Sequence, residues 1–591
     1  MQTVDVTTLY GLCAELRHHW VPARIEQVYQ CDRHTLAMAL RTLESRGWLS
    51  ISWHPQAARI CLTTPPPRIP DTFTFSQQLR HQLGGFALVA IQPLAAWERA
   101  LDLQFAHRPG DPICWHVYVE IMGKYSNVVL TNDTGQIVTA AHQVGSQQSS
   151  VRSIQTGQAY TPPPPLTDAV PRLSESQADW QERVSLVPKA LWKNLLQSYR
   201  GLSPALAKSM AIAAGLDPEQ TTDQMSATQW SRLFQRWQEW LEAIATDTYT
   251  PTQLPKGYSV MPWGKGTVVS SLQTLVDEYY TDELNRQVFT QLRHQLGQKL
   301  NNLIKKLQQK VDGFQHRLQQ SDQADQYRQQ ADLLMAYLHE WQPGFTHITL
   351  ADFETDEPTT IALDPTKNAV QNAQALYKRH QKLKRSRQAI TPLLKAALDE
   401  LHYLQQVEGA IAQQDTYQTP TDLTLLQEIR QELIQQGYWP GETPRSTKQS
   451  SMPTFHRYVS PHGFEILVGR NNNQNDYLTF RVATDYDLWF HTQEIPGSHV
   501  LLRLPPGTVP DETDLQTTAN VCAYYSRARQ SDQVPVIYTQ PKQVFKPKGS
   551  KPGMVIYKGE TVIWGQPQQG KAYTDTTTIQ NPTKPLQNEG N

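Results

Sequence analysis

Cysteine is scarce in this chain of 591 residues: Cys13, Cys31, Cys61, Cys114 and Cys522 are scattered, odd in number and never paired as CxxC. The pattern argues against both a disulfide framework and a zinc ribbon, and it suits a reducing cytosol. Excess charge is lacking too, since 54 Lys and Arg stand against 55 Asp and Glu, a formal charge of −1. A global nucleic-acid signature is therefore absent, and any such surface has to be local. No apolar run reaches the length of a membrane span, and the first residues, MQTVDVTTLYGLCAELRHH, have no basic segment followed by an apolar one. The expectation is a soluble, cytoplasmic protein with no membrane partner. There is no GxxxxGK[ST] loop to cradle a triphosphate and no G-x-S-x-G nucleophile elbow.

What is present divides into several units, because a chain of this length exceeds one core. Leu9, Leu12 and Leu16 have helical spacing, and strand-like runs follow at 24–30, 36–42, 48–53 and 58–63. Beyond Pro65-Pro66-Pro67 the pattern predicts a helix near 73–83. Strands follow near 115–121, 126–131 and 136–142, the last two joined by the turn Asn132-Asp133-Thr134-Gly135. These make an N-terminal α+β domain over 1–165. Residues 175–246 read as helical and contain Gly201-Leu202-Ser203-Pro204, a Gly turn with Ser203 as N-cap and Pro204 at the first helical position, the build of a helix-hairpin-helix. Such a turn aims backbone amides at phosphates; a helical connector that touches no nucleic acid uses the same residues.

From Leu284 apolar residues recur every three or four positions, through Val288, Leu292, Leu296, Leu300, Leu303, Leu307, Val311, Phe314 and Leu318. That is one arm of a coiled coil, assigned to 278–340. A second arm, 364–437, carries Leu376, Leu383, Ile390, Leu394, Leu401, Leu404 and Ile411, with a kink expected at Pro392. Between them, 341–363 holds two short β-like pieces, Thr346–Leu350 and Thr359–Leu363, a small cap. The simplest geometry is a long antiparallel hairpin, each arm of ~40 residues reaching ~60 Å; pairing within one chain or between two is left open. Lys367, Lys378, Arg379, Lys382, Lys384, Arg385 and Arg387 crowd into 366–388, which has no acidic residue. Solvated faces normally mix both signs, so this one is a candidate for a phosphate backbone.

The last domain, 453–566, is α+β, and the tail 567–591 reads as disordered from its Gln, Thr, Asn and Pro content. Within 463–499, Phe464, Ile466 and Val468 alternate as a strand, and Leu478 and Phe480 suggest another. Between them Asn471-Asn472-Asn473-Gln474-Asn475-Asp476 is either a plain turn or a row of amides able to grip a polar polymer. Asp487-Leu488-Trp489-Phe490-His491 and Pro496-Gly497-Ser498-His499 follow, Trp489 and Phe490 being stacking platforms or core aromatics. RNA modules read unpaired loops with amides, aromatics and Arg. The candidate rRNA or tRNA contacts are Asn472, Asn475, Asp476, His491, Ser498, His499 and Arg527, with Lys546, Lys548 and Lys551 on a Gly- and Lys-rich loop, and Lys378, Arg379, Lys382, Lys384, Arg385 and Arg387 on the arm.

These three clusters resemble the C-terminal RNA-binding module of the NFACT family. Further upstream, Glu120-Ile121-Met122-Gly123-Lys124-Tyr125-Ser126-Asn127 is similar to the family's E-x-x-G-K-x-S-N strand, Phe75 with Leu79-Arg80 matches its first half, and 364–384 matches its second arm. The resemblance covers nearly the whole chain. It implies an order of N-terminal domain, helix-hairpin-helix, coiled-coil hairpin with cap, and RNA-binding domain, and a factor of ribosome quality control. Its implied partners are the large ribosomal subunit (rRNA and ribosomal proteins), peptidyl-tRNA, alanine tRNA and a small RNA-binding helper. The implied outcome is mRNA-independent alanine tailing of stalled chains. An Asp-Arg pair tied to tRNA recognition in the family matches Glu98-Arg99 here, the charge kept and the reach changed by one methylene; by residue type alone the pair is also an ordinary intrahelical ion contact. The resemblance requires no catalytic residue, metal or cofactor, since the ribosome makes the peptide bonds.

Three other readings compete with this one. Gram-positive members of the family have been described as fibronectin-binding, which makes a surface adhesin an alternative. A glycosylase of the formamidopyrimidine-DNA type, similar in domain order, would use an N-terminal Pro, whereas Gln2 and Thr3 stand here and no four-Cys finger follows. A metal site from His462, His491, His499 and Cys522 has no HxxxH or CxxC spacing, so structural histidines are expected.

Overall fold

The computed structural model describes residues 1–67, 70–145, 147, 152–164, 169–353, 355–441 and 454–577, in two compact units, Met1–Asn285 and Arg286–Asn591. The expected limits at 165 and 453, and the tail beyond 577, fall outside the described residues.

In the first unit, helix α1 (Val6–Trp20) starts where the Asp5 carboxylate accepts the amide of Thr8 at 2.8 Å. Strands β1 (Ala23–Asp32), β2 (Thr35–Arg41), β3 (Arg46–Ser52) and β4 (Arg59–Thr63) form a meander, then α2 (Thr74–Leu83) crosses over. Strands β5 (Ala87–Pro93), β6 (Ala100–Ala106), β7 (Trp115–Glu120), β8 (Asn127–Asn132) and β9 (Ile137–Ala140) complete a nine-stranded antiparallel sheet in the order β4-β3-β2-β1-β5-β6-β7-β8-β9. β5 and β6 escape the sequence reading because β5 carries a bulge at Leu88/Ala90 and lacks clean alternation.

Helices α3 (Gln177–Ser185), α4 (Leu191–Ser198), α5 (Pro204–Ala213) and α6 (Ala227–Ala245) follow. The last of these buries Trp230, Leu233, Trp237 and Trp240 at helical spacing. Ser203 caps α5 as expected: its Oγ accepts from Leu206 N (3.0 Å) and donates to Asp5 Oδ2 (2.7 Å). One carboxylate thus starts α1 and holds the start of α5. A three-stranded sheet of β10 (Thr252–Leu254), β11 (Gly257–Ser259) and β12 (Thr267–Val268) precedes α7 (Leu272–Asp322).

In the second unit, α7 continues and is followed by α8 (Ala324–Ala336), the hairpin β13 (His347–Ala351) and β14 (Pro358–Ala362), α9 (Ala369–Ala412) and α10 (Pro420–Gln435). Phe289, Leu292, Leu296 and Leu300 pack with Tyr403, Leu404, Val407 and Ile411. Val311 meets Ala397 and Leu401, and Leu333 and Leu334 meet Ala369 and Ala373. The arms therefore pair antiparallel within one chain. Arm one is not continuous to 340: the helix breaks at Gln323, where His380 Nδ1 donates to the Ala324 carbonyl at 2.9 Å. Arm two also ends early, at Ala412, because Thr419 and Pro420 cap and start the separate helix α10. α9 itself continues through Pro392.

Strands β15 (His456–Val459) and β16 (Glu465–Val468), helix α11 (Asn472–Tyr477), strands β17 (Leu488–Thr492) and β18 (Val500–Leu502), helix α12 (Glu512–Tyr524) and strand β19 (Val534–Thr539) build the last domain. The hairpin β20 (Val544–Phe545) and β21 (Ile556–Tyr557) and strand β22 (Thr561–Gly565) close it, with the main sheet ordered β15-β16-β18-β17-β19-β22. Two expectations are corrected. Leu478 and Phe480 lie in a wide helical turn continuing α11, since Asn471 is an N-cap that accepts from Gln474 N at 2.8 Å. Residues Pro567–Thr577, read as disordered, form helix α13, pressed on α12 where a Cβ at Gly570 would meet the Asn520 carbonyl at 2.1 Å. Composition missed it because its small and polar residues serve close packing.

Candidate nucleic-acid interface

Glu98 and Arg99 lie in the loop between β5 and β6, so the reading as an intrahelical contact does not hold. Trp97 takes a left-handed conformation there (φ 64°), a strain of about 1–3 kcal/mol for a bulky residue. Offsetting it, its N–H donates to Tyr10 Oη at 3.0 Å and its ring packs on Trp240, centroids 5.3 Å apart. Gly201 (φ +85°) faces that ring, and a Cβ there would stand 2.7 Å from Trp97 Cε3. This contact brings Arg200 to Glu98, Nη1 to Oε1 at 3.4 Å. Arg99 donates through Nη1 to the Val4 carbonyl (3.4 Å), and its own carbonyl accepts from Ile121 N at 2.8 Å. Burial pushes the Glu98 carboxyl up, while Arg200 and Arg99 pull it down. Both guanidinium groups therefore favour the charged form of this half-buried carboxylate. Arg200 was not anticipated, although it adjoins the recognised Gly201 turn.

On α9, Lys378, Lys382 and Arg385 follow each other at spacings of four and three and share one face. They and Lys384 are exposed and have no ion pair among the described residues. Arg379 instead lies over the Tyr327 ring at 4.5 Å, and Arg387 pairs with Asp322 at 3.4 Å. The free part of the basic cluster is therefore Lys378, Lys382, Lys384 and Arg385.

Apart from the exposed Asn473, the amide run of 471–476 faces inward, which corrects the outward role expected of Asn472, Asn475 and Asp476. Asn471 Nδ2 and Gln474 Nε2 both donate to Glu428 Oε2, at 2.7 and 3.0 Å, and Arg470 pairs with Asp422 at 2.9 Å. Asn472 Nδ2 and Tyr403 Oη both donate to Glu432 Oε1, at 3.1 and 2.8 Å. Burial drives the Glu432 carboxyl up to about 7, against the pull of those two bonds. Asn475 accepts at Oδ1 from His499 N (3.1 Å), and Asp476 binds Lys546 and accepts from Gly553 N (3.1 Å). The acidic face of α10 thus takes the side-chain amides of Asn471, Asn472 and Gln474, while Asn473 stays exposed. Its Asp422, Glu428 and Glu432 were not singled out from sequence, where only their complementarity to 470–474 would have found them.

The remaining candidates divide in the same way. His491 and His499 are buried beside the Trp489 ring, and Trp489 and Phe490 are themselves core residues. Burial lowers the His491 ring to about 4 and lowers His499 as well, so both are neutral at pH 7. Ser498 is buried, its N–H donating to the Tyr525 carbonyl at 3.0 Å. Arg527 reaches Glu408 at 3.5 Å. Lys551 lies against the stacked Tyr403 and Tyr438 rings, its ammonium 4.8 and 4.3 Å from their centroids. Lys548 alone of that loop's candidates points freely to solvent. His462 pairs with Asp514 at 2.9 Å. No group of three or more His, Cys, Asp or Glu among the described residues is placed to hold a metal ion, and none of their helices is long and apolar enough to cross a membrane.

Residues 5–452 match the family model for NFACT N-terminal and middle domains, and residues 454–565 match the one for the NFACT protein RNA binding domain. The Rqc2 homolog RqcH of Bacillus subtilis is 30% identical over 570 residues, covering 94% of this chain and 97% of that protein. The Rqc2 homolog RqcH of Streptococcus suis is 29% identical over 574 residues, covering 95% and 98%. A solved C-terminal part of the fibronectin/fibrinogen-binding protein from Streptococcus suis is 28% identical, covering 48% of this chain and 98% of that one with a TM-score of 0.36. The chain belongs to the NFACT family.

Proposed function

From membership in the NFACT family, we propose that the protein is a ribosome quality-control factor acting on large ribosomal subunits obstructed by peptidyl-tRNA. It recruits alanine tRNA and promotes mRNA-independent addition of C-terminal alanine to the stalled chain, a tag for degradation. The observation that carries this reading is the match of nearly the whole chain, N-terminal, middle and RNA-binding parts in order, to the family and to RqcH proteins. Peptide bonds are made by the ribosome, and this chain positions RNA without a catalytic residue or cofactor.

The exposed cations on α9 support a grip on rRNA, because each lysine or arginine set against a phosphate releases a counterion. Arg99 beside Glu98 supports contact with the tRNA, since its planar group matches phosphate oxygens. Sedimentation after induced stalling tests the reading. The tagged protein is expected in the free large-subunit fraction, carrying one tRNA species identified by sequencing the copurified RNA. Its presence only in ribosome-free fractions would overturn the proposal, and a mixed tRNA population would remove the assignment to alanine.

A further inference from the structure

With the amide run turned inward, the RNA-binding domain needs another face, and the far edge of its sheet supplies one. β22 is an edge strand beside β19. Ile563 packs toward the cluster that includes α12, so Val562 and Trp564 turn to the opposite face. On that face Trp489, Leu501, Ile537 and Val544 form a closed core, with Tyr557 packed against it. The core stops at Ile537, and Val562 (48% exposed) and Trp564 (57%) extend past it into solvent. In the adjoining hairpin Val544 and Tyr557 are paired and point inward, so the next pair, Phe545 and Ile556, points out at 43% and 53% exposure.

Charge separates a nucleic-acid occupant from a purely apolar one. Residues 542–560 contain Lys542, Lys546, Lys548, Lys551 and Lys558 against one acid, Glu560. Lys546 and Lys551 are engaged internally. Lys542, Lys548 and Lys558 are exposed with no ion pair among the described residues, and the Lys558 ammonium lies 5.9 Å from the Phe545 ring. Exposed aromatics interleaved with free lysines suit unpaired RNA, whose bases stack on rings while its phosphates meet ammonium groups; a duplex keeps its bases hidden.

We propose that the β20–β21 hairpin and β22 form a stacking platform for unpaired RNA, Trp564 and Phe545 receiving bases and Lys542, Lys548 and Lys558 receiving phosphates. The proposal rests on the RNA-binding part of the function above and deepens it. Its test is fluorescence anisotropy of the full chain with a labelled oligouridine and, separately, a labelled RNA duplex. Trp564→Ala is expected to weaken oligouridine binding about tenfold or more, with the salt slope kept, the duplex affinity unchanged and Trp564→Phe recovering most of the loss. Phe545→Ala should weaken it in the same sense, and Lys542→Ala with Lys558→Ala should lower the slope by about 0.7 for each phosphate no longer neutralised. Oligouridine binding that Trp564→Ala and Phe545→Ala leave untouched, an equal loss for the duplex, or no oligouridine binding by the wild type overturns the platform. Sedimentation of the wild type with large subunits is a separate readout, so the broader function and the platform fail independently.

Discussion

Glu432→Gln is the most informative single change in the second unit, because it isolates one buried carboxyl among several titrating groups. Gln keeps an oxygen to accept from Tyr403 Oη and Asn472 Nδ2 and removes the ionisation. In the fold the carboxyl is pushed from 4.5 to about 7. The folded state thus holds a proton that the unfolded chain has released between those two values. Stabilisation from this group is present below about 4.5 and is lost as the pH rises to about 7. The rise from 4.5 to about 7, at about 1.4 kcal/mol per pH unit, sets a ceiling of about 3–4 kcal/mol, of which about 2–3 kcal/mol falls between pH 5 and pH 8. His456 and His491, lowered by burial to about 3 and about 4, act in the opposite sense, destabilising the fold as the pH falls below their ordinary value of 6.5. They are common to both proteins and cancel in the difference. Urea unfolding of the full chain, followed by tryptophan emission from pH 5 to pH 8, should show the variant gaining about 2–3 kcal/mol on the wild type over that range. Parallel stability curves would refute the claim that α10 holds a protonatable carboxyl against the RNA-binding domain.

Arg99→Ala is expected to abolish tRNA copurification while leaving cosedimentation with large subunits nearly intact; an equal fall in both would make Arg99 structural through its bond to Val4. Reversing Lys378, Lys382 and Arg385 to Glu should weaken subunit association and flatten its salt dependence by about 0.7–0.9 for each phosphate no longer neutralised, measured by pelleting over a salt series. Ser203→Ala removes a hydroxyl that caps α5 and donates to Asp5, and it should cost about 1–2 kcal/mol in thermal unfolding of the first unit.

Local signals were legible where one interaction decides the outcome. The Ser203-Pro204 start of α5 and the leucine spacing of α7 and α9 depend on nearest turns and declare themselves in sequence. The break at Gln323 did not, because it is stabilised from α9 by His380, a residue 56 positions away from its carbonyl partner. The amide run was legible as a polar anomaly but not in its direction, since Asn residues that grip RNA and Asn residues that bind a neighbouring carboxylate are the same residues. Only the placement of Glu428 and Glu432 on α10 distinguishes them. At Glu98, the sequence neighbour Arg99 suggested the partner, while the Trp97 conformation and the Gly201 turn delivered Arg200 instead.

The docking of α10 bears on how this protein can be cut apart. A fragment limited to the matched RNA-binding stretch, 454–565, leaves behind Asp422, Glu428 and Glu432 and uncovers Arg470, Asn471, Asn472 and Gln474 together. Such a fragment carries a cationic, amide-rich surface that the intact chain keeps covered, and nucleic acid bound there would report on the excision. Its other end also severs α13 from α12, opening the seam at Gly570 and Asn520. Keeping that surface covered needs α10 with Tyr403 and Tyr438, and Tyr403 in turn packs with Phe289, Leu292, Leu296 and Leu300 of α7, so α7, α9, α10 and the RNA-binding domain belong to one piece.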